Sequence, residues 1–174
     1  WKNDDAIQLQ AVGSTALSYE QINPVALQEF MAPHIAAAHE AKNIDAVTLC
    51  RHVDGLPTVD LTFIEGAGGW LVPLNDSETM ADIAVGLHTK VILVVGLRLG
   101  CINHTLLSIA SIEQAGLQVA GWIANTIDPQ MAALEENIKT LEQRIKAPLL
   151  GLIPFMHNPA AEAAAESLNI KPLI

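Results

Sequence analysis

The chain has 174 residues and a formal net charge of −10; 51% of the residues are hydrophobic and 16% are charged. This composition excludes an intrinsically disordered protein and indicates one domain with a hydrophobic core over residues 1–174. Its nine lysines and arginines are spread thinly, which argues against a nucleic acid or a membrane surface as a partner. No apolar run approaches the ~18 residues of a membrane span, and the polar first residues do not resemble a signal peptide. We therefore expect a cytoplasmic protein whose Cys50 and Cys101 are reduced thiols.

The predicted elements change from mainly helical to alternating along the chain. Residues 1–53 are predicted to be mainly helical, with breaks at Pro24 and Pro33. Short apolar runs then alternate with helical patterns. The predicted strands are residues 60–65, 90–96, 117–125 and 147–154. The predicted helices are residues 77–88, 103–116 and 128–145. Because three of the strands are apolar almost throughout, we predict an α/β fold, a mostly parallel sheet with helices on both faces.

Residues typical of helix ends set the predicted helix boundaries. Ser77 is the predicted N-cap of the first of these helices, and Gly116 is the predicted C-cap residue of the second. Asp128 is the predicted N-cap of the third, with Pro129 at its first helical position. This third helix has an apolar face at i, i+3/i+4 spacing, formed by Met131, Leu134, Ile138, Leu141 and Ile145.

Polar and glycine-rich segments follow the predicted strands, where parallel α/β sheets bind their ligands. These segments are residues 62–70, 96–104, 124–129 and 152–159. Because the carboxyl ends of parallel strands share one edge of the sheet, we predict that the four segments form one site.

Glu65 ends an apolar run and is followed by Gly66, Gly68 and Gly69. A carboxylate in this position can hold Mg²⁺, which protein carboxylates share with phosphate oxygens. Glycines without a Cβ let backbone N–H groups approach an anion closely. The alternative is a strand-end turn whose Glu65 faces solvent, and the spacing alone leaves both interpretations open.

The other polar positions also have two interpretations. The segment "GCINH" enters a helix whose first free N–H groups can bind an anion, but Asn103 as a simple cap is favoured on the residues alone. Asn125 can read a purine edge through its amide or can simply form a turn. Asp4 and Asp5 are candidate metal ligands or solvated surface acids. The histidines have no metal-ligand spacing.

Taken together, these segments resemble the dethiobiotin synthetase family of the biotin pathway. The resemblance covers essentially the whole chain, and "EGAGG" alone is shared with amidotransferases of cobalamin synthesis. It implies a P-loop NTPase-like fold and a ligase that closes a ring on 7,8-diaminononanoate with CO2, ATP and Mg²⁺. The matching segments, in family order, are "KNDDAIQLQ", "INP…APHIAAAHE", "IEGAGGWLVPL", "VILVVGLRLGCINHTLLS", "VAGWIAN" and "APLLGLIPF…NP".

The resemblance also implies roles for individual residues. Asp5 and Glu65 would be the Mg²⁺ carboxylates, beside ATP. The other residues implied at ATP are Gly66, Ala67, Gly68, Asn125, Thr126, Pro154, Phe155 and Met156. The substrate carboxylate would bind main-chain N–H groups of Gly100, Cys101, Ile102 and Asn103. In the family this helix start serves the second subunit, which implies a homodimer with a shared active site.

The chain departs from the family pattern in two places. The family opens with a strand, a GxxxxGKT-type P-loop and a lysine-bearing segment, whereas this sequence opens at Trp1, so we expect no catalytic lysine and negligible ligase activity from these residues alone. Ala160 replaces an acid that contacts the ribose; either ribose binding is looser or Glu162 substitutes. Two alternatives stay open: a cobyrinic-acid-type P-loop amidotransferase domain, and a non-catalytic dimeric binding or regulatory relic.

Overall fold

The computed structural model describes residues 2–173. They form two compact units that divide between Leu87 and His88. The prediction of a single domain over residues 1–174 stays a prediction. Within the described residues, no helix has the length and apolarity needed to cross a bilayer.

The described part of residues 1–53, which belongs to the first unit, is mainly helical, as predicted. Pro24 follows the second helix, and Pro33 is the first residue of the third, where a missing N–H leaves no hydrogen bond unmade. Side-chain caps include Asn3, which accepts from the Ala6 N–H at 3.1 Å, and Asp45, which accepts from the Thr48 N–H at 2.8 Å. The helices are α1 (Asp4–Val12), α2 (Tyr19–Ile22), α3 (Pro33–His39), α4 (Ala46–Asp54) and α5 (Met80–Gly86).

The core of the first unit forms where α4 and α5 pack together. Glu78 supports it by accepting from the Ala46 N–H at 3.1 Å and from the Asn75 side-chain amide at 2.6 Å. Asn75 also donates to the Ile44 carbonyl at 2.9 Å. This polar network therefore ties the start of α4 to the segment before α5. The buried apolar residues are Ala37, Ile44, Ala46, Leu74 and Ile83.

The predicted start of α5 at Ser77 is wrong. The N–H and hydroxyl of Ser77 donate to the Asn75 side-chain oxygen, at 2.9 and 3.2 Å, in a turn that precedes the helix. The N-cap is Thr79, whose N–H donates to Asp82 at 2.6 Å. Asn75 therefore draws Ser77 into a turn, and the helix begins at Met80.

The predicted strand at residues 60–65 is also wrong. The segment is free of helix and strand, and Leu61, Phe63 and Ile64 are 49%, 63% and 44% exposed. An apolar run becomes a strand only where a neighbour accepts and donates its backbone hydrogen bonds. In the described part of the chain, no strand pairs with these residues.

The second unit is an α/β sheet with parallel strands in the order β1-β2-β3, which confirms the predicted fold class. The predicted strands match the observed ones to within two residues at most ends. The elements in chain order are β1 (Val91–Leu97), α6 (Cys101–Gln114), β2 (Val119–Thr126), α7 (Leu134–Arg144), β3 (Leu149–Ile153), α8 (Ala161–Glu166) and a 3₁₀ helix (Lys171–Leu173).

One face of this sheet carries the core of the second unit. Trp122 in β2, Leu97 in β1 and Leu141 in α7 are fully buried there. α6 packs against β1 and β2. On the opposite face Val94 is 58% exposed, because side chains of a strand alternate between the two faces.

The predicted apolar face of α7 is confirmed, but its predicted start is wrong. The side chain of Asp128 accepts from the Gln130 N–H at 2.9 Å, which closes a turn rather than a helix. Ala133 then adopts a left-handed backbone with φ 54°, and α7 begins only at Leu134. The residues of the face that join the core are Met131, Leu134, Ile138, Leu141 and Ile145.

Gly151→Ala tests the packing of β3 against the segment before the 3₁₀ helix. A Cβ at residue 151 would overlap the carbonyl oxygen of Ser167, and the Asn169 N–H donates to the neighbouring Leu150 carbonyl at 2.7 Å. We expect the free energy of unfolding in urea to fall by about 1–3 kcal/mol. Gly55→Ala is the control, because its Cβ would lie no closer than 3.4 Å to other atoms at an ordinary φ. Equal stability of the two variants would contradict the close approach.

Candidate functional site

Three of the four predicted site segments lie at one edge of the sheet. Gly96 of β1 pairs with Asn125 of β2, and Asn125 pairs with Ile153 of β3. Neighbouring strands lie about 4.8 Å apart, so this register aligns the carboxyl ends of all three strands. The chain therefore leaves the sheet side by side at Leu97, at Thr126 and at Ile153. Residues 62–70 follow no strand, which corrects the prediction for the fourth segment.

The start of α6 presents backbone donors with no side-chain cap. Gly100 is the N-cap residue, with φ 92°, a conformation that glycine adopts without strain. The Cys101 N–H donates to the Arg98 carbonyl at 3.0 Å, and the His104 N–H donates to Gly100 at 3.2 Å. Within the described residues, the Ile102 and Asn103 N–H groups have no acceptor. This helix start can bind an anion through two N–H groups and the positive end of the helix dipole.

Asn103 is not a cap. It is the third residue of the helix and is exposed, whereas the simpler sequence interpretation makes it the N-cap. The "GCINH" segment thus begins the helix two residues earlier than predicted, and this shift leaves the N–H groups of residues 102 and 103 in the uncapped first turn.

A cavity of about 260 Å³ lies beside this helix start, between α6 and β1. Its polar lining includes Arg98, His104 and Ser108, and its base includes Val94 and Gly96. The motifs did not single out these three polar residues. The sequence spacing of His104 and Ser108 could have indicated that they lie together, because residues four apart share one face of a helix.

The residues predicted to line an adenine pocket are the last two of β2 and the three that follow β3. Asn125 is partly exposed and Thr126 is buried. Pro154 is exposed and Met156 is partly exposed. Phe155 is 36% exposed, two residues beyond the register partner of Asn125. An aromatic ring can stack on a base, and an amide can donate to and accept from its edge.

In the first unit, Asp5 lies in the first turn of α1. Its side chain is exposed, and Asp4 and Asp5 both lie at the positive end of the helix dipole.

Glu65 and the glycines after it form an exposed loop. Gly68 has φ 90°, and a Cβ there would lie 2.9 Å from Val72. A Cβ at Gly66 would lie 3.1 Å from the end of the Met80 side chain. The loop therefore needs glycine for its turn and its packing, and it also keeps its backbone open to an approaching anion.

In the first unit, Asp5 and Glu65 provide carboxylate oxygens, the type of ligand that Mg²⁺ prefers. Among the described residues no hydrogen bond or ion pair occupies the carboxylate of Asp5 or Glu65, and no group of three or more acids, histidines or cysteines could hold a metal. Mg²⁺ needs only one or two protein carboxylates when phosphates and waters complete its shell. The two exposed carboxylates therefore fit a metal that arrives with a nucleotide better than a metal held by protein alone.

Comparison with known proteins agrees with the motifs. A family described as an AAA domain matches residues 2–163. An ATP-dependent dethiobiotin synthetase BioD of Cellvibrio japonicus is 49% identical over 99% of this chain and 76% of the relative. The proteins of that name in Pseudomonas aeruginosa and Pseudomonas paraeruginosa are each 46% identical over the same shares. The predicted P-loop NTPase-like class and the predicted ligase are confirmed, and the chain belongs to the ATP-dependent dethiobiotin synthetase family.

Proposed function

We propose that this protein closes the ureido ring of dethiobiotin on 7,8-diaminononanoate with CO2 and ATP, in the cytoplasm. The observation that supports this best is the register of Gly96, Asn125 and Ile153. An uncapped helix start follows β1, and a partly exposed amide and an exposed ring lie at the ends of β2 and β3, so each subunit of a homodimer offers one group of each kind at its sheet edge. The first suits a carboxylate and the second suits a purine.

The chemistry needs positioning more than acid–base groups. One amine takes up CO2 as a carbamate, and a carbamate oxygen accepts the γ-phosphoryl group of ATP. The second amine attacks this mixed anhydride, the C–O bond to phosphate breaks, and inorganic phosphate leaves as the ring closes. The protein accelerates such steps by aligning the reacting atoms and neutralising charge.

The start of α6 is proposed to hold the substrate carboxylate. The N–H groups of Ile102 and Asn103 are the donors, and Gly100 and Cys101 shape the turn before them. No lysine or arginine is required there, because the helix dipole already favours a negative charge. We further propose that this helix start serves the second subunit of a homodimer.

The ends of β2 and β3 are proposed to hold the adenine. Asn125 reads the base through its amide, since that group both donates and accepts. The wall of the pocket is formed by Thr126, Pro154, Phe155 and Met156.

Asp5 and Glu65 are proposed to hold Mg²⁺, with Gly66, Ala67 and Gly68 along the phosphates. When bound, the cation neutralises charge on the phosphate oxygens. The residues of the chain contribute two carboxylates and an open backbone, and neither carboxylate is engaged elsewhere in the described part of the protein.

Product formation tests the function directly. An enzyme in which these residues are joined to a P-loop segment is incubated with diaminononanoate, bicarbonate, ATP and Mg²⁺, and dethiobiotin is measured by mass spectrometry together with released phosphate. Omission of the diamine or of CO2 should abolish both signals. Phosphate release that is independent of the diamine would contradict the proposal.

Glu65→Gln tests the metal role. Loss of one of two carboxylates should raise the Mg²⁺ concentration for half-maximal activity by about 10- to 100-fold, the range found when groups that support a metal site are removed. Asp5→Asn should act in the same direction. Glu142→Gln, an exposed acid on α7, is the matched control. An unchanged Mg²⁺ requirement in Glu65→Gln would show that Glu65 is not a ligand of the metal.

Ala160→Glu tests the ribose contact. Ala160 is the exposed residue before α8, and Glu162 lies in the first turn of that helix. We expect the restored acid to lower KM for ATP by up to about tenfold through a hydrogen bond to a charged group. The effect should shrink with a deoxyribose analogue of ATP. If Ala160→Glu has no effect and Glu162→Gln raises KM for ATP, the ribose contact belongs to Glu162 instead.

A further inference from the structure

A pair of aromatic rings lies just beyond β3. The ring centroids of Phe155 and His157 are 5.1 Å apart, and the two planes meet at 88°. This is the edge-to-face arrangement that aromatic rings prefer over a parallel sandwich. His157 is exposed, and in the described part of the chain no hydrogen bond or ion pair involves it. The ring contact is therefore the interaction that defines its position.

The two rings lie in the loop that follows β3, and this location indicates their role. Residues 154–160 form the loop between β3 and α8, with no helix or strand of their own. An exposed ring on such a loop rotates freely unless a neighbour restrains it. Phe155 is 36% exposed, so part of its ring is open to a ligand while His157 contacts it. Asn125 pairs with Ile153, only two residues before Phe155.

We propose that His157 is a positioning residue of the nucleotide site, which holds the Phe155 ring in the orientation that receives the base of ATP. The inference rests on the proposed adenine role of Asn125 and Phe155. Nothing in the motifs pointed to His157, and its contribution follows from the contact between the two rings. It acts through Phe155 and does not itself touch the nucleotide.

His157→Ala is the direct test, with ADP as the probe. An edge-to-face pair of rings changes binding by about two- to tenfold when it orders a ring before the ligand arrives. We expect the Kd for ADP, measured by calorimetry, and the KM for ATP to rise by that factor. The kcat and the KM for diaminononanoate should stay within about twofold, and Tm within about 2 °C, because an exposed loop side chain carries little stability. Discrimination between ATP and CTP should fall.

Two further variants distinguish a role of His157 in orienting the Phe155 ring from a role in the structure of the loop. His157→Phe keeps a ring in place and should restore ADP binding to within about twofold of the unchanged enzyme. Lys146→Ala, an exposed residue at the other end of β3, is the control and should bind ADP normally. In NMR spectra, the imidazole protons of His157 should shift on Phe155→Leu, because the ring current of Phe155 is lost.

The outcomes are distinguishable. If Phe155→Ala weakens ADP binding and His157→Ala does not, the inference about His157 fails and the nucleotide site stands. If His157→Ala lowers Tm and kcat without changing KM for ATP, its role is structural and the inference also fails. If neither Asn125→Ala nor Phe155→Ala changes ADP binding, the proposed nucleotide site itself fails.

Discussion

The parallel register of β1, β2 and β3 is the constraint on which the second unit depends. Each strand contributes only one residue to the aligned row of Gly96, Asn125 and Ile153. Every loop beyond that row begins at the same edge, so residues far apart in sequence become neighbours without any direct side-chain bond between them. A shift of one residue in β2 would turn Asn125 to the opposite face of the sheet, and its amide would be lost to that edge. The buried Trp122 opposes such a shift, because the same slip would expose it.

An acidic protein has to bind anionic partners without a positive surface. The net charge of −10 gives long-range repulsion, which local dipoles overcome only at close contact. The uncapped first turn of α6 supplies two N–H donors and the helix dipole at one point. The loop after Glu65 leaves its backbone similarly open, since Gly68 needs its left-handed conformation and has no room for a Cβ. In the proposed site, backbone groups therefore take the place of lysine and arginine side chains.

The sequence predicted local features well and non-local ones poorly. The apolar runs of β1, β2 and β3 were found because buried parallel strands are apolar on both faces. The strand at residues 60–65 was wrong, because strand formation depends on a partner that no local pattern reveals. The starts of α5 and α7 were wrong because Asn75 and Asp128 close turns with their own side chains. The site residues came mostly from the family resemblance, and the contact of His157 with Phe155 became visible only in three dimensions.

The proposed carboxylate site and the proposed nucleotide site are formed by different kinds of structure. The helix start at Gly100 is built into an element of fourteen residues that packs on the sheet, so its geometry is as rigid as the core. Phe155, His157 and Ala160 lie on a loop held at its ends by β3 and the short α8. Changes in that loop do not disturb Trp122 or Leu141, because neither strand pairing nor core packing involves it. In the proposed site, nucleotide recognition therefore depends on how a few exposed side chains of residues 154–160 are held, whereas carboxylate recognition depends on the fold itself.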